Sequence, residues 1–422
     1  MSNAQIKNVV VLMMENHSFD HMFGYLPGIG TLSESPQCLP DPAPNSSGQI
    51  CTWAWDAYSI KPCPIHSHGN VMQQLYGLAN MNQQPSDGVW PTPSMDGFLA
   101  DYYAGYNYSN QPADRQAQGN PTQLMGCFTP DQLPALSMLA TTFTVCTNWF
   151  CSVPGPTGTN RLFANCASAG GYAGPAYQYT DLPPQLATLP SVFDQLTSKG
   201  LTWQTYHECP LFFPEGILNS VNSVPDAVKA DPGFHRFQND VDQNKLPNYS
   251  FLTPSLPNSQ HDSWDARVGD NVISLIYNTL LDSSCWEQAL LVITYDEHGG
   301  HYDHVVPPRQ YLSVRSGETV TVDNPDGKVW NNTWREFVGP EFDFTLLGPR
   351  VPAVIVSAYT PATVDNTVHE HASIPATLND LWGFKPLTKR DAVANPLLGN
   401  VKADVRHADT LPRAPVSAIP KP

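Results

Sequence analysis

An α/β fold, with a mostly parallel sheet covered by helices on both faces, is predicted for this chain by three observations. Apolar runs of strand length recur, namely Asn8–Met14, Ala289–Tyr295 and VPAVIVSAY at 351–359, and none alternates with polar residues. Strands covered on both faces read this way. Helical segments alternate with these runs along the chain. Several strands also end in polar clusters, at the edge where open α/β sheets gather their chemistry.

The first run, with valines at 9, 10 and 11, leads into Glu15, Asn16, His17, Ser18 and Asp20. Glu15 and Asn16 either cap a turn or form half of a cation site, since a carboxylate beside an amide oxygen suits a hard or borderline ion. From Leu26 to about Ala100 periodicity fades and Pro, Ser, Asn and Gln abound. Loop insertions this long in a compact domain are usually functional. This one carries Ile65-His66-Ser67-His68, either surface histidines or site groups. VMQQLYGLAN at 71–80 then predicts a short helix ending near Gly77.

Thr129-Pro130-Asp131 predicts a helix start, with a hydroxyl N-cap, Pro at the first position and an acid in the first turn. The helix runs through 133–140 into TTFTVCTNWFC at 141–151, a strand by its β-branched and aromatic content. That strand meets Ser152–Arg161, a turn dense in Gly and Pro that holds Thr157. LFANCASAG at 162–170 continues it as a helix, so the hydroxyl faces a helix N-terminus, which favours anions. Leu189–Gly200 predicts a helix closed by Gly200, and 201–208 a strand ending at Tyr206, His207 and Glu208. Residues 263–284 form a long amphipathic helix, preceded by Pro257–Asp262. Ala289–Tyr295 runs straight into Asp296-Glu297-His298-Gly299-Gly300-His301-Tyr302-Asp303-His304. The stretch 351–359 is followed by His369-Glu370-His371 and a helix at 373–383. With no repeat and no interdomain linker, one domain over 1–422 is expected, with a Pro-rich tail from about 403.

Of the 422 residues only 14% are charged and 10% are aromatic, so a large core is expected and disorder is not. The net charge is −17, from 38 acidic and 21 basic residues. Such a chain repels polyanions at long range, which argues against nucleic acid and against electrostatic docking on anionic lipid. A single phosphate remains compatible, because a bound cation reverses the local field. No run approaches the ~18 apolar residues of a membrane span. The first strand starts almost at once, so no leader is expected in the chain as given. A secreted or periplasmic location is expected if one was removed, and a cytoplasmic one otherwise. Nine cysteines, none in CxxC spacing, leave two readings open: one or two disulfides with a thiol left over, or a fully reduced chain.

The strand ends carry Glu15-Asn16, Thr157 and Asp296-Glu297, and in a parallel sheet they share one edge. Two carboxylate sites with an amide and a hydroxyl make an oxygen-rich pocket for one divalent cation. Histidines 66, 261, 298, 301 and 304 supply further donors.

The segments ENHSFDHMFG, PGPTGTNRLF, NSQHDSWDARVGD, YDEHGGHYDHVVPP and HASIPATL resemble, in matching order from Val9 to about Trp382, a known phosphoesterase family. It contains bacterial acid phosphatase A, the non-haemolytic bacterial phospholipases C and the plant non-specific phospholipases C. The resemblance implies the alkaline phosphatase-like superfamily and a three-layer α/β/α sandwich. It also implies Glu15-Asn16 and Asp296-Glu297 as metal-ligand pairs, with Thr157 as nucleophile and further ligand. His66 matches the histidine of the family's His-Ser loop, His261 the first histidine of its His-Pro-x-His-Asp element and His304 that of its Phe/Tyr-Asp-His element. His207, Asn16 and Asn160 are the candidates for holding phosphate. The chain departs from the family where the second histidine of His-Pro-x-His-Asp is missing, where His301 replaces an aromatic residue, and where Thr159 replaces Pro before Asn160.

A free threonine hydroxyl is a weak nucleophile and needs a metal to lower its pKa. The implied reaction is in-line attack by Thr157 on phosphorus, giving phosphothreonine, with His66, His261 and His207 on the non-bridging oxygens. His261 or His304 would protonate the leaving oxygen. Calcium, magnesium, manganese and zinc all suit the donors. A phospholipase C-like diesterase is expected, with an acid phosphatase using the same site as alternative. A non-catalytic binder on the same fold is more remote, and a sulfatase is disfavoured because Cys151–Gly155 lacks that signature. Trp53, Trp55, Tyr58, Trp90, Tyr102, Tyr103, Tyr106 and Tyr108 either line an apolar mouth for lipid or pack the loop.

Overall fold

The computed structural model describes residues 5–77, 91–107, 120–174, 182–210, 214–328 and 341–419. Seven strands form the central sheet: β1 (Asn8–Met14), β2 (Thr144–Cys146), β3 (Trp203–His207), β4 (Tyr249–Thr253), β5 (Ala289–Tyr295), β6 (Ala353–Ser357) and β7 (Thr363–Asp365). Their order across the sheet is β7-β2-β6-β5-β1-β4-β3. β1 lies between β4 and β5 and runs parallel to both, with Val11 opposite Phe251 on one side and Val292 on the other. Its residues from Val9 onward are buried, which is why the run carries no polar alternation.

Helices cover both faces. The helix Pro134–Thr142 packs on Ala266–Leu281, and Thr157–Cys166 packs on Ser373–Trp382. The result is the expected three-layer sandwich with a mostly parallel sheet. The exception is β6, which runs antiparallel to both β5 and β2. An apolar strand carries no mark of its direction, so 351–359 reads the same either way.

Several local expectations shift. The helix predicted from Thr129 begins at Pro134, and its N-cap residue, Leu133, offers no side-chain acceptor. Asp270, from the neighbouring long helix, supplies the cap instead. Its carboxylate accepts from the backbone N–H groups of Ala135 at 3.0 Å and Leu136 at 2.9 Å. The central strand β4 has no counterpart in the sequence reading, since YSFLT between Pro247 and Pro254 is too short to stand out. The 26–100 insertion contains a small hairpin, Cys38–Pro40 with Gln49–Cys51, closed by a Cys38–Cys51 disulfide. No other disulfide is present among the described residues. The insertion also contains the helix His68–Tyr76, which starts three residues before the predicted run. The segment expected as a tail is strapped along Ala266–Leu281. Tyr277 donates to the Pro412 carbonyl at 2.9 Å, and the Ser417 N–H donates to Asn271 at 2.7 Å.

Because Asp270 is the cap of Pro134–Thr142, Asp270→Ala removes the acceptor for two buried N–H groups. It is expected to cost about 2 kcal/mol, read as a lower urea midpoint at unchanged slope.

Candidate active site

The parallel register sets the site. Met14 lies opposite Tyr295, so the residues that follow each, Glu15-Asn16 and Asp296-Glu297, emerge side by side. The Asn16 backbone N–H donates to Asp296 Oδ1 at 3.2 Å. Asn16 adopts φ +59° and Gly299 φ +65°, and the two turns interlock so closely that a Cβ on Gly299 would lie 2.1 Å from the Asn16 carbonyl oxygen. Asn tolerates the left-handed region better than most residues, and Gly tolerates it freely.

Thr157 opens the helix Thr157–Cys166 and is only 7% exposed. Its hydroxyl donates to Glu15 Oε2 at 3.4 Å. The turn before it is held by Asn160, whose amide donates to the carbonyls of Gly155 at 3.0 Å and Val153 at 3.2 Å and accepts from the Val153 N–H at 3.1 Å. The His68 ring nitrogen Nδ1 donates to the Pro154 carbonyl at 2.6 Å.

Three oxygens meet in front of this hydroxyl. The Asn16 amide position facing the carboxylates lies 2.8 Å from Glu15 Oε2 and 2.7 Å from Glu297 Oε1. With the amide oxygen there, three acceptors converge with no proton between them. With the amide turned over, its oxygen faces His66 Nε2, 3.4 Å away. His66 Nδ1 donates to the Pro64 carbonyl at 2.9 Å, so Nε2 of the neutral ring carries a lone pair. Either orientation leaves acceptors facing acceptors. A divalent cation held by Glu15, Asn16 and Glu297, beside Thr157 and His66, satisfies all of them, so these residues fit a metal. Burial, followed by the negative charge of Asp296, pushes the Glu15 and Glu297 carboxyls well above their ordinary range, as expected of acids short of positive charge.

The positive charge that is present belongs to Arg161, fully buried four residues after Thr157. Its guanidinium contacts Glu15 Oε1 at 2.5 Å and Asp296 Oδ2 at 3.2 Å, and it donates to the Met13 carbonyl at 3.2 Å. It ties the nucleophile helix to the ends of β1 and β5. Arg161 lies within the PGPTGTNRLF motif, where no role was expected of it. The available signal was its spacing, since positions i and i+4 share a helix face.

Of the predicted residues, Glu15, Asn16, Thr157, Glu297 and His66 come together. Asp296 is adjacent but braces the turn: Oδ1 accepts from the backbone N–H groups of Asn16 and Glu297, and Oδ2 accepts from Arg161. Asn160 is likewise a brace, its amide taken up by the turn backbone. His261 is half-buried, close enough to His66 and Asp262 for their charges to interact. His207 lies at the end of edge strand β3, separated from β1 by β4, and burial with the nearby Arg236 lowers its pKa to about 4. His304 belongs to a neighbouring group: its Nδ1 contacts Asp20 at 2.7 Å, and Arg350 joins Asp20 to Asp303.

Three of the aromatic candidates, Trp55, Tyr58 and Tyr102, pack the loop. Trp55 stacks on Phe128, Tyr102 donates to the Pro62 carbonyl and Arg267 covers Tyr58. Trp90, Tyr108 and the side chain of Tyr106 lie outside the described residues.

A family model described as "Phosphoesterase family" matches residues 6–385. "Non-specific phospholipase C3" of Arabidopsis thaliana is 32% identical over 98% of this chain and 77% of its own length. "Phospholipase C B" of Mycobacterium tuberculosis is 29% identical over 96% of this chain and 78% of its own. Among solved structures, a protein in the alkaline phosphatase superfamily from Vibrio parahaemolyticus aligns at 13% identity and a TM-score of 0.40, over 79% of this chain and 81% of that one.

Arg161→Met leaves Glu15 and Asp296 buried without their partner. It is expected to destabilise the fold by about 3–5 kcal/mol, measured by chemical denaturation. His304 gives a pH test. Burial works to lower its pKa, but the bonded Asp20 carboxylate outweighs this and raises it above 6.5. The pair therefore stabilises the fold fully below about 6.5, and the effect is lost as pH rises through the raised value. The Tm deficit of His304→Gln should be largest in acid and shrink toward alkaline pH.

Proposed function

The chain belongs to the phosphoesterase family and is a hydrolase of phosphoric ester bonds; from that premise we propose that it is a divalent-metal-dependent diesterase of phospholipase C type, with Thr157 as its nucleophile. The observation that carries this reading is the Thr157 hydroxyl at a helix N-terminus, facing the converging oxygens of Glu15, Asn16 and Glu297. The donor set is oxygen-rich, which suits calcium, magnesium or manganese, and His66 keeps zinc compatible. When bound, the ion polarises the phosphoryl oxygen and lowers the pKa of the threonine hydroxyl.

The chain's own groups account for the rest. Thr157 Oγ1 attacks phosphorus, its proton passing toward Glu15 Oε2, and the ester oxygen opposite leaves. The N-terminal N–H groups of its helix stabilise the negative phosphoryl oxygens. His66, whose Nε2 carries a lone pair, would serve the cation rather than a phosphoryl oxygen. His261, beside His66, gives the proton to the leaving alcohol. Water then cleaves the phosphothreonine, releasing the phosphorylated head group and restoring the hydroxyl. Arg161 keeps Glu15 in place and does not touch the substrate.

A lipid-derived diester as substrate is supported by the named activities of the relatives. It is also supported by exposed apolar residues near site groups: Trp264, three residues after His261, and Val306, two after His304. No described helix is long and apolar enough to cross a membrane.

Thr157→Ala should lose roughly 10³-fold or more in kcat at full metal loading, and Thr157→Ser should retain part of the activity. Wild-type turnover by Thr157→Ala would sink the nucleophile assignment. Glu15→Gln should weaken metal affinity at least about tenfold and lower activity with it. Turnover of a phosphorylcholine diester is expected to exceed that of a chromogenic phosphomonoester. The reverse ranking would favour an acid phosphatase on the same site.

A further inference from the structure

We propose that this chain holds a second, nitrogen-rich metal site, distinct from the oxygen cluster and formed by His17, His21 and His301. All three side chains are buried, with exposures of 3%, 2% and 0%. One ring nitrogen from each lies within 4.8 Å of the others. The ring centroids are 4.7 Å apart for His17 and His21, 4.9 Å for His17 and His301, and 3.9 Å for His21 and His301.

The hydrogen bonds fix how these nitrogens are presented. His301 Nε2 contacts Asp262 Oδ1 at 2.6 Å. A carboxylate only accepts, so Nε2 carries the proton and Nδ1 of the neutral ring carries the lone pair. That lone pair points at His21 Nδ1, which it contacts closely. His21 Nε2 makes no hydrogen bond among the described residues, and His17 has at most a weak one, to the Gln260 backbone. The polar neighbours of His17 are Asp262 Oδ1, 3.8 Å from its Nδ1, and the Gln260 backbone. Buried polar atoms are rarely left this way without a reason.

The surroundings are those of a ligand cage rather than of a loose cluster. A carboxylate behind a histidine orients the ring and raises its basicity toward a metal, and Asp262 stands in that place behind His301. It also supplies negative charge against a buried dication. The His21 ring is fixed by stacking on Trp55 at 4.8 Å and leaning on Phe128 at 4.8 Å. Zn–N bonds of about 2.0 Å in tetrahedral geometry place ligand nitrogens about 3.3 Å apart. Reaching that spacing requires the His21 and His301 nitrogens to separate and His17 to stay within reach of both. Three imidazoles with no carboxylate in direct contact select zinc or another late first-row dication over calcium and magnesium. His17 comes from the turn after β1, His21 from the short helix Phe19–Phe23 that follows it and His301 from the loop after β5, while Asp262 comes from the segment before the helix Ala266–Leu281. An ion there would clamp these segments one residue beyond Asn16.

The test uses the full chain, stripped of metal and titrated with Co(II). The wild type should take up two equivalents and show the visible absorption of nitrogen-ligated cobalt. Glu15→Gln, which keeps all three histidines, should retain one equivalent and that spectrum at cobalt concentrations below the oxygen site's weakened affinity. His301→Phe and His17→Phe, checked for fold by circular dichroism, should each lose that equivalent and its spectrum while keeping the other. Uptake and spectrum unchanged in both histidine variants would overturn the proposal. So would a single wild-type equivalent that Glu15→Gln abolishes, which leaves the three rings as stacked core. A single equivalent lost in His301→Phe but kept in Glu15→Gln would support this site and count against the oxygen site instead.

Discussion

A guanidinium buried among carboxylates is the interaction on which the rest of this structure depends. Arg161 is fully buried, and it survives there because Glu15 and Asp296 lie against it, the carbonyls of Met13 and Met14 accept beside Glu15 at Nη2, and Thr253 accepts from Nη1. The reverse also holds: the two carboxylates remain at the sheet edge because the arginine neutralises part of their charge. The pairing joins a helix to two adjacent strands and sets the height at which Thr157 stands. Charge balance is incomplete, since Glu297 and Glu215 are buried in the same region. That excess of negative charge is the electrostatic basis for reading the oxygen cluster as a cation site.

Backbone conformation does the finer positioning. A left-handed Asn16 turns the amide toward the carboxylates, and only a glycine at 299 lets the neighbouring turn close over it. The long insertion contributes to this arrangement rather than lying apart from it. Gln74 accepts from His298 Nε2 at 2.7 Å while its amide donates to Asp101, so the helix His68–Tyr76 is bolted to the loop after β5. His66 precedes that helix and is held at the cluster by it. The described aromatic residues around it serve this packing, and among the described residues few apolar groups are left for a lipid.

The chemistry-bearing residues were legible in the sequence to different degrees. Glu15, Asn16, Thr157 and Glu297 stood out because each follows an apolar run or a Gly-Pro turn, a local pattern. His66 was identifiable only through its motif, since a loop histidine has no periodicity to mark it. Asp296 and Asn160 carry the right chemistry at the right place, yet their hydrogen-bonding capacity is taken up by backbone and Arg161, which no spacing reveals. Arg161 has no local mark of its role, because its partners lie on strands far away in the chain.

The sequence by itself determined the α/β layering, the two central apolar strands and the polar edge at which they end, because burial on both faces and helical grammar are written in neighbouring residues. Tertiary structure alone decided that β6 runs against its neighbours, that the short β4 lies beside β1, and that Asn16 meets Asp296 across 280 residues. It alone brought His17, His21 and His301 to one point. Strand order, direction and register arise from pairing between segments distant in the chain, and a linear pattern of side chains holds no record of which segment will lie beside which.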